Sequence, residues 1–292
     1  MTLRELANRL TQYDEMESRS IVRMLLDDCF GWSYTDICCG ALESIGKEDE
    51  ERLEGLMTRL EDGEPIQYVT GTAMFYNRAF HVENGVLIPR PETEELIDLI
   101  KKEKGNVSHD ILDIGTGSGC IAVTLAKEIK GANVTAWDIS SEALTVAKKN
   151  SNDHGAGVRF EEQDIFKAPR DREKYDVIVS NPPYICDNEK GEMEENVLSY
   201  EPEIALFVPD EDPLLFYRAI TEYASMALRE GGLLAFEINP LYAEDMAEMV
   251  RGLRIRESAE SCFEEIMIHP DQFGKSRFLI ARKRSLSGVR SV

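Results

Sequence analysis

From Asp110 onward, short apolar runs alternate with stretches of helical periodicity, and few folds satisfy that order. Ile111 to Ile114, Asn133 to Asp138, Val158 to Phe160, Tyr175 to Ser180 and Leu233 to Ile238 read as strands. Cys120 to Ile129, Ser141 to Asn152, Leu214 to Leu228 and Tyr242 to Gly252 read as helices. Runs that are apolar at successive positions are buried on both faces, and strands joined through helices run parallel. The expectation is therefore an α/β domain, a parallel sheet with helices on both sides. Ser258 to Lys275 reads as irregular, and Ser276 to Ala281 as a late strand entering antiparallel at an edge. Ligands bind such sheets at the carboxyl ends of the strands, so the loops there carry the functional reading.

Two of those loops stand out. Asp113-Ile114-Gly115-Thr116-Gly117-Ser118-Gly119 joins the first strand to the first helix. Its glycines let the chain turn sharply and let a ligand approach the backbone. Asp138 ends the second strand, where an acid can accept hydrogen bonds from ribose hydroxyls. The G-x-G-x-G spacing is one residue shorter than the dinucleotide fingerprint. Asp113 would repel a pyrophosphate but suit an ammonium group, which favours S-adenosylmethionine over NAD. After the third strand, Asp164 and Phe166 are candidates for the adenine amine and ring face, although by composition alone they are loop residues.

The second loop is Ser180-Asn181-Pro182-Pro183-Tyr184. Consecutive prolines cannot continue a strand, so the sheet stops there in a stiff turn. Asn181 can both accept and donate, the Pro182 carbonyl is a fixed acceptor and Tyr184 is a flat face. Together they suit a planar group bearing an NH2, either an amide or the exocyclic amine of a base. Taken alone, the same residues would also serve as a proline-terminated strand with a capping Asn.

Residues 1–72 read as all-helical, with apolar positions at helical spacing around Leu3 to Leu10, Ile21 to Leu26, Ile37 to Ile45 and Leu53 to Leu60, and a short turn from Pro65 to Gly71. No chemistry stands out there; a lid, a partner-recognition module and a structural cap all fit. Residues 73–91 read as a hairpin-like linker, with Asn84-Gly85 as a turn signal. Residues 92–284 form the α/β domain and 285–292 a frayed tail. Cys38 and Cys39 are expected to bury part of a helix face.

Lys and Arg number 33 against 55 Asp and Glu, a net charge of −22. That balance repels nucleic-acid backbones unless a basic strip is present, and the sequence shows none; it fits a basic protein partner, and equally an acidity that only confers solubility. Six cysteines with no C-x-x-C and four scattered histidines argue against a disulfide framework or a zinc site, and reduced cytosolic thiols are the expectation. The amino-terminal residues lack signal-peptide character, and no apolar run approaches a membrane span.

With the glycine loop, Asp138 and Asn181-Pro182-Pro183-Tyr184, the chain resembles class I S-adenosylmethionine-dependent methyltransferases acting on amide or amine nitrogens. Gln67-Tyr68-Val69-Thr70-Gly71, Leu87-Ile88-Pro89-Arg90-Pro91-Glu92-Thr93-Glu94, Gly115 to Ala122, Asp138-Ile139-Ser140 and Asn181 to Ile185 are more specifically similar to the PrmC/HemK family. That resemblance implies a Rossmann-like, mostly parallel seven-stranded sheet behind a small helical domain and a β-hairpin linker. It implies methyl transfer to the glutamine amide in the Gly-Gly-Gln loop of class-1 peptide-chain release factors. It also implies a cytoplasmic protein, expected as a monomer, with release-factor recognition by the helical domain and no direct nucleic-acid or membrane contact. Gly115, Thr116, Gly117, Ser118, Gly119, Asp138, Phe166 and Asn181 are the implied cofactor residues. Asn181, Pro182, Pro183 and Tyr184 are the implied glutamine holders, with Asn181, Pro182 and Tyr184 catalytic. Asn-Pro-Pro-Tyr is shared with adenine-N6 methyltransferases, which are the alternative reading. Two departures from the family pattern are Asn239, where Glu-Ile-Gly is usual, and Val208 to Pro213, which replaces a Gly-rich loop.

Overall fold

The computed structural model describes residues 1–254 and 260–285; all of the expected tail except Ser285 lies outside them. The chain opens with helices α1 (Leu3–Ala7), α2 (Glu15–Phe30), α3 (Tyr34–Cys38), α4 (Lys47–Glu61) and α5 (Ile66–Thr70). Their starts are written in the sequence. Thr2 and Ser33 close capping boxes with Glu5 and Asp36, and Asp14 accepts from the Met16 and Glu17 amides. Leu6, Leu10, Val22, Leu25, Leu53 and Met57 form a core separate from that of the sheet. Pro65 to Gly71, expected as a turn, holds helix α5. Cys38 and Cys39 are exposed, contrary to expectation, because α3 is only five residues long and ends before it has a face to bury.

Strands β1 (Thr72–Phe75) and β2 (Arg78–His81) form the expected hairpin. Its turn is Tyr76-Asn77, both at positive φ, a two-residue geometry whose twist suits a hairpin. Asn84-Gly85 instead turns the chain after β2. The unusual Tyr76 conformation is held by helix α6 (Pro91–Lys104): Glu94 accepts from the Tyr76 amide at 2.8 Å and Asp98 from its hydroxyl at 2.6 Å.

Next come β3 (Asp110–Ile114), α7 (Cys120–Glu128), β4 (Asn133–Asp138), α8 (Ser141–Asp153), β5 (Val158–Glu162) and β6 (Tyr175–Ser180). A flap follows, made of β7 (Ile185–Cys186), α9 (Glu195–Tyr200), α10 (Glu203–Leu206) and β8 (Phe207–Val208). The chain ends with α11 (Leu215–Ala227), β9 (Leu228–Glu237), α12 (Ala243–Gly252), β10 (Phe263–Pro270) and β11 (Ser276–Lys283). The seven-stranded sheet has the order β10-β11-β9-β6-β3-β4-β5, with β3, β4, β5, β6 and β9 mutually parallel. One face packs on α11 and α12 through residues such as Ile178, Tyr217 and Phe236, and the other on α6 and α7 through Val177, Ile97 and Ile121.

The late strand corrects one expectation. β11 lies between β9 and β10, antiparallel to both, and the edge strand is β10, within the stretch read as irregular. The reason is position in the sheet. Phe278 to Ala281 are buried on both faces, whereas β10 alternates and carries Glu264-Glu265 across a register shift, with Glu265 at positive φ. An edge strand tolerates such a bulge and such charges, which obscure its pattern in the sequence.

Candidate active site

Strand order reverses at β3, whose neighbours β4 and β6 lead to opposite edges, so the loops leaving β3 and β6 part and open a crevice between them. The glycine loop forms one wall. Gly115 and Gly117 sit at φ 72° and 54°, and a Cβ on either would meet nothing within 4 Å. Their bare backbone is open to a ligand. Gly119 has another purpose, since a Cβ there would lie 3.0 Å from that of Ala147 on α8. Asp138 is fastened to this loop: one carboxylate oxygen accepts from the Gly117 amide at 2.8 Å and the other from the Ser140 amide at 2.9 Å. Burial raises the Asp138 pKa, partly offset by these amides.

The crevice is a cavity of about 250 Å³. Gly115, Gly117, Asp138, Phe166 and Asn181 line it, as do Asp164, Pro182 and Pro183. Thr116, Ser118 and Gly119 do not. Thr116 and Ser118 are buried, and the Thr116 hydroxyl donates to Asp113 at 2.6 Å. Asp113 is fully buried, and its other oxygen has no partner among the described residues. Burial pushes its pKa up to about 7, so its charge at neutral pH is weaker than the sequence reading assumed. The cavity also has residues that were given no role in the sequence: Val86 and Leu87 from the linker, Ile139, and Phe216 on α11, whose ring lies 5.4 Å from that of Phe166.

A second cavity of about 240 Å³ adjoins the first, and Leu87, Asn181 and Ala205 line both. Asn181 thus stands on the shared wall. Its Nδ2 donates to Thr93 Oγ1 at 3.4 Å, and the Thr93 hydroxyl donates to Glu237 Oε2 at 2.6 Å. Neither Asn181 Oδ1 nor the Pro182 carbonyl has a hydrogen-bond partner among the described residues. Tyr184 lines the second cavity, and its hydroxyl donates to Glu237 Oε1 at 3.2 Å. Burial, then the Glu237 charge, raises the Tyr184 pKa, so the phenol stays protonated. Glu237 is itself buried, with its pKa raised by desolvation and drawn back by Thr93, Arg277 and Tyr184.

These contacts explain why the Pro-Arg-Pro-Glu-Thr-Glu stretch is so particular. Arg90 pairs with the buried Glu201 at 2.6 Å, which also accepts from the Ile88 amide at 3.2 Å, fixing the linker against the flap. Pro91 starts α6, and Thr93 in its first turn reaches Asn181 in the loop after β6. Val208 to Pro213, one of the two departures from the family pattern, closes the flap: Asp210 accepts from the Asn188 amide at 3.0 Å and Asp212 pairs with Arg218 at 2.7 Å.

Fold and crevice together define a class I S-adenosylmethionine-dependent methyltransferase. A solved methyltransferase from Pyrococcus furiosus superposes with a TM-score of 0.52 at 20% identity, over 72% of this chain and 91% of that one, a likeness of fold. Residues 2–71 match the PrmC N-terminal domain family and residues 91–199 the Methyltransferase small domain family. A release factor glutamine methyltransferase of Bacteroides thetaiotaomicron is 47% identical over 93% of this chain and 95% of its own length. One of Flavobacterium psychrophilum is 38% identical over 91% and 92%, and one of Bacillus subtilis 38% over 78% and 81%. The chain belongs to the release factor glutamine methyltransferase family. Among the described residues no helix is long and apolar enough to cross a membrane.

Proposed function

We propose that this enzyme methylates the side-chain nitrogen of the glutamine in the Gly-Gly-Gln loop of class-1 peptide-chain release factors. The observation that carries the reading is Asn181 on the wall between two cavities, its donor side anchored to Thr93 and its acceptor side open. S-adenosylmethionine supplies, when bound, a methyl group on a sulfonium that is already a strong donor. Gly115 and Gly117 would take its backbone contacts, Asp138 its ribose, and Phe166 its base, while Thr116, Ser118 and Gly119 shape the loop from behind. The residues fit such a group because two open glycine backbones, an acid and an exposed aromatic face meet in one largely apolar cleft.

An amide nitrogen is a poor nucleophile because its lone pair is delocalised. Asn181 Oδ1 and the Pro182 carbonyl would accept its two N–H bonds and fix the nitrogen in place, and Tyr184 and Pro183 would hold the amide plane. Positioning of this kind supplies much of the rate, and no general base is assigned. Adenine would offer a similar edge, but Arg90 is the one cation among the described residues lining the two cavities, and it is paired with Glu201. A nucleic-acid substrate requires more positive charge than that. The reading extends to a cytoplasmic monomer without direct nucleic-acid contact. Mass spectrometry of a purified release factor incubated with the protein and S-adenosylmethionine tests it: one methyl group on that glutamine is expected, and methylated nucleic acid with an unmodified release factor would overturn it.

Two further outcomes are expected. Asp138→Ala should weaken S-adenosylmethionine binding by about 1.5–3 kcal/mol, the size of charge-assisted hydrogen bonds; an unchanged calorimetric affinity would remove Asp138 from the site. The helical domain, in this reading, recognises the release factor. Its removal should stop at residue 64, because Tyr68 on α5 donates to the Val86 carbonyl at 2.6 Å and packs beside α8. A protein lacking residues 1–64 should bind cofactor normally and methylate intact release factor poorly; full-rate methylation would reduce the bundle to a cap.

A further inference from the structure

The end of β9 grips Tyr184 at both ends. Glu237 accepts from its hydroxyl, and two residues on, where side chains return to the same face of an extended chain, Asn239 Nδ2 donates to its backbone carbonyl at 3.0 Å. Asn239 is buried. The same amide lies 3.0 and 3.1 Å from the two carboxylate oxygens of Glu189, in the flap. Glu189 Oε1 also accepts from the Cys186 amide at 2.8 Å. Asn239 Oδ1 accepts from the Leu241 amide at 3.0 Å, which fixes the orientation of the group. One amide therefore joins three pieces of chain: the sheet end, the acceptor loop, and the base of the flap. That flap supplies Ile185, Met193, Glu194, Val197, Ala205 and Leu206 to the second cavity.

We propose that Asn239 is a positioning residue for methyl transfer, holding Tyr184 in place and tying the flap through Glu189 over the channel that receives the acceptor side chain. That channel is the second cavity, and the proposal rests on the reading of Asn181 and Tyr184 in its wall as the glutamine holders. Asn239 itself lines neither cavity, so it acts through Tyr184 and the flap. A glycine at 239 would leave the Tyr184 carbonyl without its side-chain donor and the Glu189 carboxylate with the Cys186 amide but no tie to the sheet end. An aspartate would keep the shape but set two carboxylates against each other. Pairing Asn239→Asp with Glu189→Gln would restore the tie to the flap with donor and acceptor exchanged, while the Tyr184 carbonyl stays without its donor.

Hydrogen exchange of the full-length protein without substrate, together with steady-state kinetics on release factor and calorimetry with S-adenosylmethionine, tests this. Asn239→Gly should raise exchange across residues 185–208 about tenfold, as expected for a lost buried hydrogen bond. It should also raise KM for the release factor and lower kcat, with cofactor affinity within twofold of the parent. The double variant should recover flap protection and KM relative to Asn239→Asp, while kcat remains low. Exchange that rises throughout the sheet with loss of cofactor binding would overturn the proposal in favour of a purely structural role. Unchanged exchange in 185–208, or a double variant no better than Asn239→Asp, would also overturn it. The exchange result does not depend on the substrate, so failure of the release-factor reading would show separately, as a parent protein that protects its flap and methylates no release factor.

Discussion

Asn181→Ala should fold, bind S-adenosylmethionine nearly as well as the parent, and transfer methyl groups about 10²–10³-fold more slowly, the scale for losing one positioned polar group at a reacting centre. The fold should survive because Asn181 is only partly buried and follows the last residue of β6. Its one side-chain bond among the described residues is the long contact to Thr93, whose hydroxyl keeps its stronger bond to Glu237. Asn181→Asp is the sharper variant. It retains an acceptor towards the cavity but removes the NH2 that donates to Thr93, and it sets a second carboxylate near Glu237. Cofactor binding should hold or tighten beside the sulfonium charge while kcat falls. Stopped-flow measurement of a single turnover separates the two effects. Wild-type transfer by Asn181→Asp would mean that the loop is a proline-terminated strand end and nothing more.

The sequence displayed the central parallel strands well because burial on both faces leaves a run of apolar residues with no alternation to misread. Asn133–Asp138 and Tyr175–Ser180 fall where their patterns begin and end. β10 stayed hidden because an edge strand need not be apolar, and Glu264, Glu265 and His269 look like a loop. At the crevice, several residues that line it were legible from local chemistry: glycines free to turn, an acid at a strand end, an Asn before two prolines. Residues brought in from a distance were not. Thr93 meets Asn181 across 88 positions, and Tyr184 meets Asn239 across 55. Nothing in a linear pattern marks such pairs. Thr116 and Ser118 illustrate the reverse. They belong to the right loop, but successive residues of a tight turn face opposite ways, and theirs is the buried side.

Glu237→Ala should lower kcat about 10²-fold, the cost of a small displacement of groups that hold a reacting atom, and destabilise the domain by about 2–5 kcal/mol. Its carboxylate is the shared acceptor for Thr93 and Tyr184, so its loss leaves two hydroxyl protons without an acceptor and frees both sides of the Asn181-to-Tyr184 loop at once. Cofactor affinity should change little, since Glu237 does not line the first cavity. Glu237→Gln should keep the loop in place: its carbonyl accepts from Thr93 and its NH2 donates to the Tyr184 oxygen, and kcat should stay within about tenfold of the parent. The pair also differ in their pH dependence. Burial raises the Glu237 pKa above its ordinary 4.5. The fold therefore favours its protonated form, and the stability Glu237 contributes is complete below about pH 4.5 and declines as pH rises through the folded value. Glu237→Gln has no such titration, so its stability relative to the parent should increase from pH 4.5 upward in denaturant melts. A parent and variant that run parallel over that range, with full activity in Glu237→Ala, would remove Glu237 from the machinery that holds Asn181 and Tyr184.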